Sequence, residues 1–289
     1  MQRVKHSEDE PAQPPAAAPP WESQVYARLF FCLSYQEGRY WKARTERYLW
    51  ESIRMNGASG WASAHGERNK ISDVPGVTVG HCTLADGDIQ TGVTALLPHP
   101  GDVFHDKVLA ACHVINGFGK TTGLVQIDEL GTLETPILFT NTLSVGTVET
   151  ALVKYMLERN PDICETTGSV NPVVCECNDS GLNDIRGLHV TEAHVAAALA
   201  DCKADFAEGA VGAGRGMRCH GLKGGIGSAS RLVELDGKSY TIGALVLSNH
   251  ATFDDLIVAG TPIHELLEAR IPPHEDKAPS SRCWQRISP

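Results

Sequence analysis

Three apolar runs in this 289-residue chain end on short polar clusters. They are Thr140-Asn141-Thr142, then Asn178-Asp179-Ser180 with Asn183-Asp184 just beyond, and Ser248-Asn249. Side-chain amides at strand ends, where loops gather, suit two tasks. They orient a polar substrate, and they donate hydrogen bonds to an oxygen that becomes negative during acyl transfer. Asn and Asp also cap turns, and for any one of these residues alone that is the commoner use. As a set they make Asn141, Asn178 and Asp179 candidate substrate-binding residues.

Other chemistry is poorly supported. The run 212–217 (GAGRGM) is spaced G-x-G-x-G, whereas a dinucleotide site needs G-x-G-x-x-G between a strand and a helix. In the run 223–228 (KGGIGS) the lysine precedes the glycines, so it is no P-loop; bare amides in such a run can cradle a carboxylate or an oxyanion. The twelve histidines show no His-Glu-x-x-His spacing. His81, His99, His105 and His113 therefore read as surface or core groups, and neither metal nor cofactor is expected. No G-x-S-x-G elbow anchors a hydrolase triad. The nine cysteines are an odd number spread along the chain, unlike a secreted disulfide framework. Most sit in apolar runs and read as buried thiols, and Cys175-x-Cys177 is too tight for a redox pair. A reducing, cytoplasmic location follows.

The elements that must position the polar clusters begin near residue 69. Short apolar stretches bounded by turn residues predict strands at 77–82, 93–97, 108–115, 137–140, 170–176 and 240–248. Helices are expected at 122–130, at 144–159 and at 191–206. The second has Val148, Leu152, Tyr155 and Met156 at helical spacing and stops at Asn160-Pro161; the third has Thr191 as N-cap. Without a repeating βαβ rhythm, these elements argue for mixed layers of sheet and helix. A body at 67–270 is flanked by a leader and extension at 1–66 and an atypical tail at 271–289. Residues 11–20 hold five prolines, and residues 21–56 carry nine of the eighteen aromatics among mixed charges. That stretch reads as amphipathic helix packed on the body. No apolar run approaches the ~18 residues of a membrane span, and no membrane partner is expected. The net charge of −10 opposes binding to nucleic acid. The 28 glycines, well above the usual ~7%, point to a site built from loops and close backbone approaches.

Nine segments, in order, carry a resemblance to a known family. They are 69–80 (NKISDVPGVTVG), 91–98 (TGVTALLP), 113–120 (HVINGFGK), 129–136 (ELGTLETP), 140–146 (TNTLSVG), 171–174 (NPVV), 212–217, 223–231 (KGGIGSASR) and 240–246 (YTIGALV). Over roughly 69–265 the chain closely resembles the DmpA-type peptidases, serine peptidase family S58. The resemblance implies an α/β/β/α four-layer sandwich of the N-terminal-nucleophile hydrolase type. It also implies a homo-oligomer acting on small peptide or amide substrates. Members cleave themselves at a Gly-Ser bond, and the freed serine is the nucleophile with its own α-amine as base. That amine titrates near about 7.7–8.0, poised to take a hydroxyl proton. The family's oxyanion asparagine matches Asn249. Related ornithine acetyltransferases use a threonine nucleophile, but the motif set favours the peptidase branch.

Two departures stand out. Gly181 occupies a position where the family commonly has an aromatic, often tyrosine. The chain also ends 278–289 (APSSRCWQRISP) rather than in Gly-Ser and an apolar strand. Ser280 and Ser281 stand near the expected place, yet neither follows glycine, so no nucleophile is assigned. The sequence alone thus leads to an expectation of an inactive or incomplete aminopeptidase. The alternative is a non-catalytic binding or assembly protein that uses the aromatic extension as partner surface.

Overall fold

A computed structural model describes residues 64–115, 117–235, 237–258 and 261–262. The extension expected at 1–66 lies outside the described residues except for 64–66, and the tail at 271–289 lies wholly outside them.

Strands β1 (Thr78–Asp86) and β2 (Ile89–Leu97) form an antiparallel hairpin in which Asp86 pairs with Ile89. Both reach further toward the turn than their apolar residues suggested, because Thr83–Asp86 and Ile89–Gln90 pair through backbone with side chains that are exposed or only partly buried. Next to β2 lies β3 (Ile137–Asn141), antiparallel to it and buried along its whole length. Beyond β3 comes β4 (Val173–Cys177), parallel to β3 with Ile137 opposite Val173 and Asn141 opposite Cys177. A parallel pair needs a crossover, and helix α2 (Val145–Arg159) lies on that connection. It matches the expected helix and buries Val148, Leu152 and Met156; Asn160 N–H closes its last turn on Met156 O at 2.9 Å.

Both faces of this four-stranded sheet are covered, which is why β3 and β4 each open on three consecutive apolar residues, Ile137–Phe139 and Val173–Cys175. On one face α2 and α3 (Glu192–Ala200) pack against Val93, Ala95, Leu138 and Val174. On the other, Leu96, Ile137, Phe139, Val173 and Cys175 meet Ile226, Leu245 and Leu247 from a long hairpin, β5 (Gly225–Leu235) with β6 (Lys238–Ser248). Ile71, Val74, Phe206 and Met217 complete that second core. The described residues thus stack as helix layer, sheet and sheet.

Several expectations need correction. The strand at 108–115 shrinks to Val108–Leu109, paired with Thr132–Leu133. Helix α1 covers Leu124–Leu130, with Gly123 at its N-cap, shorter than expected. Helix α3 ends at Ala200 rather than 206: Lys203 turns back to exchange both backbone hydrogen bonds with Val79 of β1, at 3.1 Å each. That redirects the chain so that Phe206 enters the core between the two sheets. Thr191 does precede α3, and its N–H donates to His194 Nδ1 at 3.0 Å. The run 223–228 is not a cradle of bare amides, because the strand β5 starts at Gly225 and its backbone is used in pairing. Of the seven described cysteines, none in a disulfide, only Cys175 is fully buried, and Cys164 is exposed. The four histidines considered together do not meet. His81 contacts Thr94 and Ala207 O, His99 contacts Asp106 O, and His105 faces Asp102 and Asp162; His113 is exposed. No described helix is long and apolar enough to cross a membrane.

Candidate functional site

Parallel pairing brings the carboxyl ends of β3 and β4 side by side, so Asn141 and Asn178 leave the sheet at the same edge. The end of β6 reaches the same place from the second sheet. Cys177 Sγ lies 3.8 Å from Leu247 O, and Asn249 Nδ2 donates to Asn178 O at 2.5 Å. The sequence-nominated residues therefore gather at one strand-end edge, in two depths.

Asn141 and Asp179 form the inner set. Asn141 is 2% exposed, and its Oδ1 accepts from the N–H groups of Leu143 and Ser144, both at 3.1 Å, while its Nδ2 donates to Thr91 Oγ1 at 2.8 Å. Its amide is thereby committed to turning the chain from β3 into α2. Asp179 is fully buried; its Oδ1 accepts from Asn183 Nδ2 at 3.0 Å, and its carbonyl receives the N–H groups of Leu182 and Asn183. Burial pushes its carboxyl above the ordinary aspartate range, against the pull of hydrogen bonds from Thr91 and Asn183.

Asn178 and Asn249 form the outer set. Asn178 is exposed, with its Oδ1 accepting from Ser180 N–H at 2.9 Å, and Asn249 is half-buried beside it. An amide nitrogen carries two hydrogens. One of Asn249's goes to Asn178 O, which fixes the plane of the amide. Gly181 stands beside Arg218, whose Cδ lies 3.2 Å from where a Cβ at residue 181 would be.

One buried carboxylate escaped the reading of the polar clusters. Glu176, 7% exposed, accepts from Lys120 N–H at 2.9 Å and from the Thr142 hydroxyl, tying the 113–122 loop to the ends of β3 and β4. The available signal was a single charge inside the apolar run Val173-Val174-Cys175-Glu176-Cys177. Glycine provides the close approaches behind the site. At Gly212, φ is +51° and a Cβ would lie 2.3 Å from Thr94 Oγ1. At Gly225 a Cβ would lie 2.2 Å from Gly209 O.

The helix layer and two packed sheets of the described residues belong to an N-terminal-nucleophile hydrolase fold, as likeness to solved structures shows. Its likeness to the L-aminopeptidase D-Ala-esterase/amidase from Ochrobactrum anthropi, a variant of that fold, carries a TM-score of 0.66 at 37% identity, covering 76% of this chain and 62% of that one. A β-aminopeptidase from a Burkholderia species superposes with a TM-score of 0.67 at 48% identity, over 73% of this chain and 60% of the other. The model of peptidase family S58 matches residues 69–278, and the chain belongs to that family. β-Peptidyl aminopeptidase BapA of Sphingosinicella microcystinivorans is 41% identical over 223 residues, which is 74% of this chain and 55% of the relative. The chain spans about half the length of the curated relatives it matches. Ser280 and Ser281 lie outside the described residues.

Proposed function

We propose that this chain provides the acyl-binding half of an aminopeptidase or amidase that releases N-terminal residues from short peptides or amides. The observation that carries the proposal is the Asn249 amide, oriented by Asn178 O at the edge where β3, β4 and β6 end. In this reading Asn249 donates to the oxygen of the tetrahedral intermediate. Asn178 lines the exposed rim that the substrate meets, while Asn141 and Asp179 hold the rim from behind. The nucleophile is the serine freed by self-cleavage at a Gly-Ser bond, and it is assigned to no described residue. Its α-amine takes the hydroxyl proton as Oγ attacks the carbonyl carbon. Collapse of the intermediate expels the leaving amine, and water then releases the acyl group. The working form is a homo-oligomer, and the location is the cytoplasm, where the described cysteines stay as thiols.

The test is hydrolysis of α- and β-aminoacyl p-nitroanilides by the purified chain, with mass spectrometry for a fragment that begins in serine. Turnover is expected only where that serine fragment forms, and in the cleaved form Asn249→Ala should lower kcat/KM by about 10²–10³-fold, the usual cost of one oxyanion donor, with an unchanged circular dichroism spectrum. An intact chain without turnover would favour the non-catalytic binding or assembly alternative, and a cleaved chain without turnover would overturn the hydrolase reading. An Asn249→Ala variant as active as the parent would remove Asn249 from it.

A further inference from the structure

The described residues hold one cluster able to grip a metal ion: Cys219, His220 and His250, whose ligand atoms all lie within 4.8 Å of one another and whose side chains are half-buried. We propose that these three residues form a zinc-class divalent-cation site that fastens the turn at Arg218–Lys223 to the loop following β6. Cys219 and His220 are adjacent and His250 follows thirty positions later, so no ligand spacing announces the three.

The donor set is right for such an ion. A thiolate and two imidazoles suit zinc, which takes sulfur at about 2.3 Å and nitrogen at about 2.0–2.1 Å; a tetrahedral pair of that kind stands roughly 3.5 Å apart. Cys219 Sγ and His250 Nδ1 are 3.2 Å apart before any ion enters. The His220 and His250 rings meet edge to face with centroids at 4.5 Å. His220 is also oriented from behind. Its Nδ1 lies 3.2 Å from Thr252 O, a group that only accepts, so Nδ1 carries the proton and Nε2 the lone pair. A backbone carbonyl holding the far nitrogen of the ring is the usual arrangement around metal-bound histidine. The two loops are already joined by His220 N–H donating to His250 O at 2.7 Å.

Asp255 Oδ2 accepts from Thr252 N–H at 3.1 Å and from Thr252 Oγ1 at 2.8 Å, and the proposal assigns the fourth position to water. On binding, the Cys219 thiol gives its proton to solvent. Because His250 follows Asn249 directly, the ion would also fix the backbone that presents the Asn249 amide.

The test is direct binding and needs no turnover. The purified full chain, stripped with EDTA and dialysed into metal-free buffer, is titrated with ZnCl2 against a chromophoric chelator, and separately with CoCl2 followed by absorption. One Zn2+ per chain is expected, with a thiolate-to-cobalt charge-transfer band in the near ultraviolet. Cys219→Ser should abolish that band. Cys219→Ser and His250→Ala should each weaken zinc binding by at least about tenfold, which is the low end of the effect of even an outer partner of a metal ligand. Cys164→Ser, which removes an exposed cysteine elsewhere, should change neither. Should Cys219→Ser fail to fold, His220→Gln is read in its place for the same loss of affinity. No zinc held against the chelator, or affinity unchanged in these variants, would overturn the proposal.

Discussion

Asp179 shows how one buried residue can be read through pH. Its carboxyl is buried at the hinge of the 178–184 turn, and burial raises its pKa. The folded protein therefore keeps the proton above the pH, about 3.9, at which the unfolded chain releases it. The stability this residue contributes is fully present below that value and is lost as pH rises through the folded pKa. Asp201 and Asp255 are held below the usual range, chiefly by hydrogen bonds from Lys203 and from Thr252, so they titrate beneath this window. Asp179→Asn keeps an oxygen for Asn183 Nδ2 and removes the ionisation. Its stability relative to the parent should rise with pH from about 4 upward, as measured by urea denaturation at a series of pH values. A difference that stays flat across that series would show that Asp179 does not titrate in the folded state above its unfolded value. Asn249 is the opposite kind of residue: half-buried, with one hydrogen spent on orientation, it would, in the proposed oxyanion role, bear on rate rather than on stability.

At the scale of elements, the long β5–β6 hairpin was half legible. The alternating Leu245 and Leu247 revealed β6, whereas β5 begins Gly-Ile-Gly-Ser-Ala-Ser, which carries little strand preference. It is a strand because β6 pairs along its full length and because the Gly209 backbone must pass close by at residue 225, exchanging hydrogen bonds between Gly209 and Ile226 at 2.7 and 2.9 Å. Gly225→Ala would place a methyl on the Gly209 carbonyl and should cost about 1–3 kcal/mol of stability. That figure is read from the urea midpoint; an unshifted midpoint would mean that the 209–211 segment has room to retreat. The α2 crossover behaves differently. Local spacing, a proline stop and burial on one face agree there, so the expected and observed helix differ by one residue.

For the whole molecule, the decisive feature is the second core. Phe206, 1% exposed, lies in it together with Ile71 and Val74 from the start of the body, Phe139 and Cys175 from the four-stranded sheet, and Leu245 from the hairpin. Phe206→Ala should cost about 3–5 kcal/mol. Because this core joins both sheets, hydrogen-exchange protection is expected to fall in β1–β4 and in β5–β6 together. A loss confined to one sheet would show that the layers open independently.

The sequence by itself determined the elements whose signal is local: β3 and β4 from their short apolar runs, α2 from its period and its stop, and the asparagines at strand ends. Ordered motifs were enough to point to the family. The tertiary structure alone decided how those asparagines sort by depth, with Asn141 and Asp179 consumed in holding turns and Asn178 and Asn249 left at the rim. It alone revealed Glu176 as a tie between loops, and it alone brought Cys219 and His220 to His250. The physical reason is common to all three. Burial and side-chain convergence depend on which strand ends are neighbours, and that is set by pairing between segments tens of residues apart, which no local periodicity records.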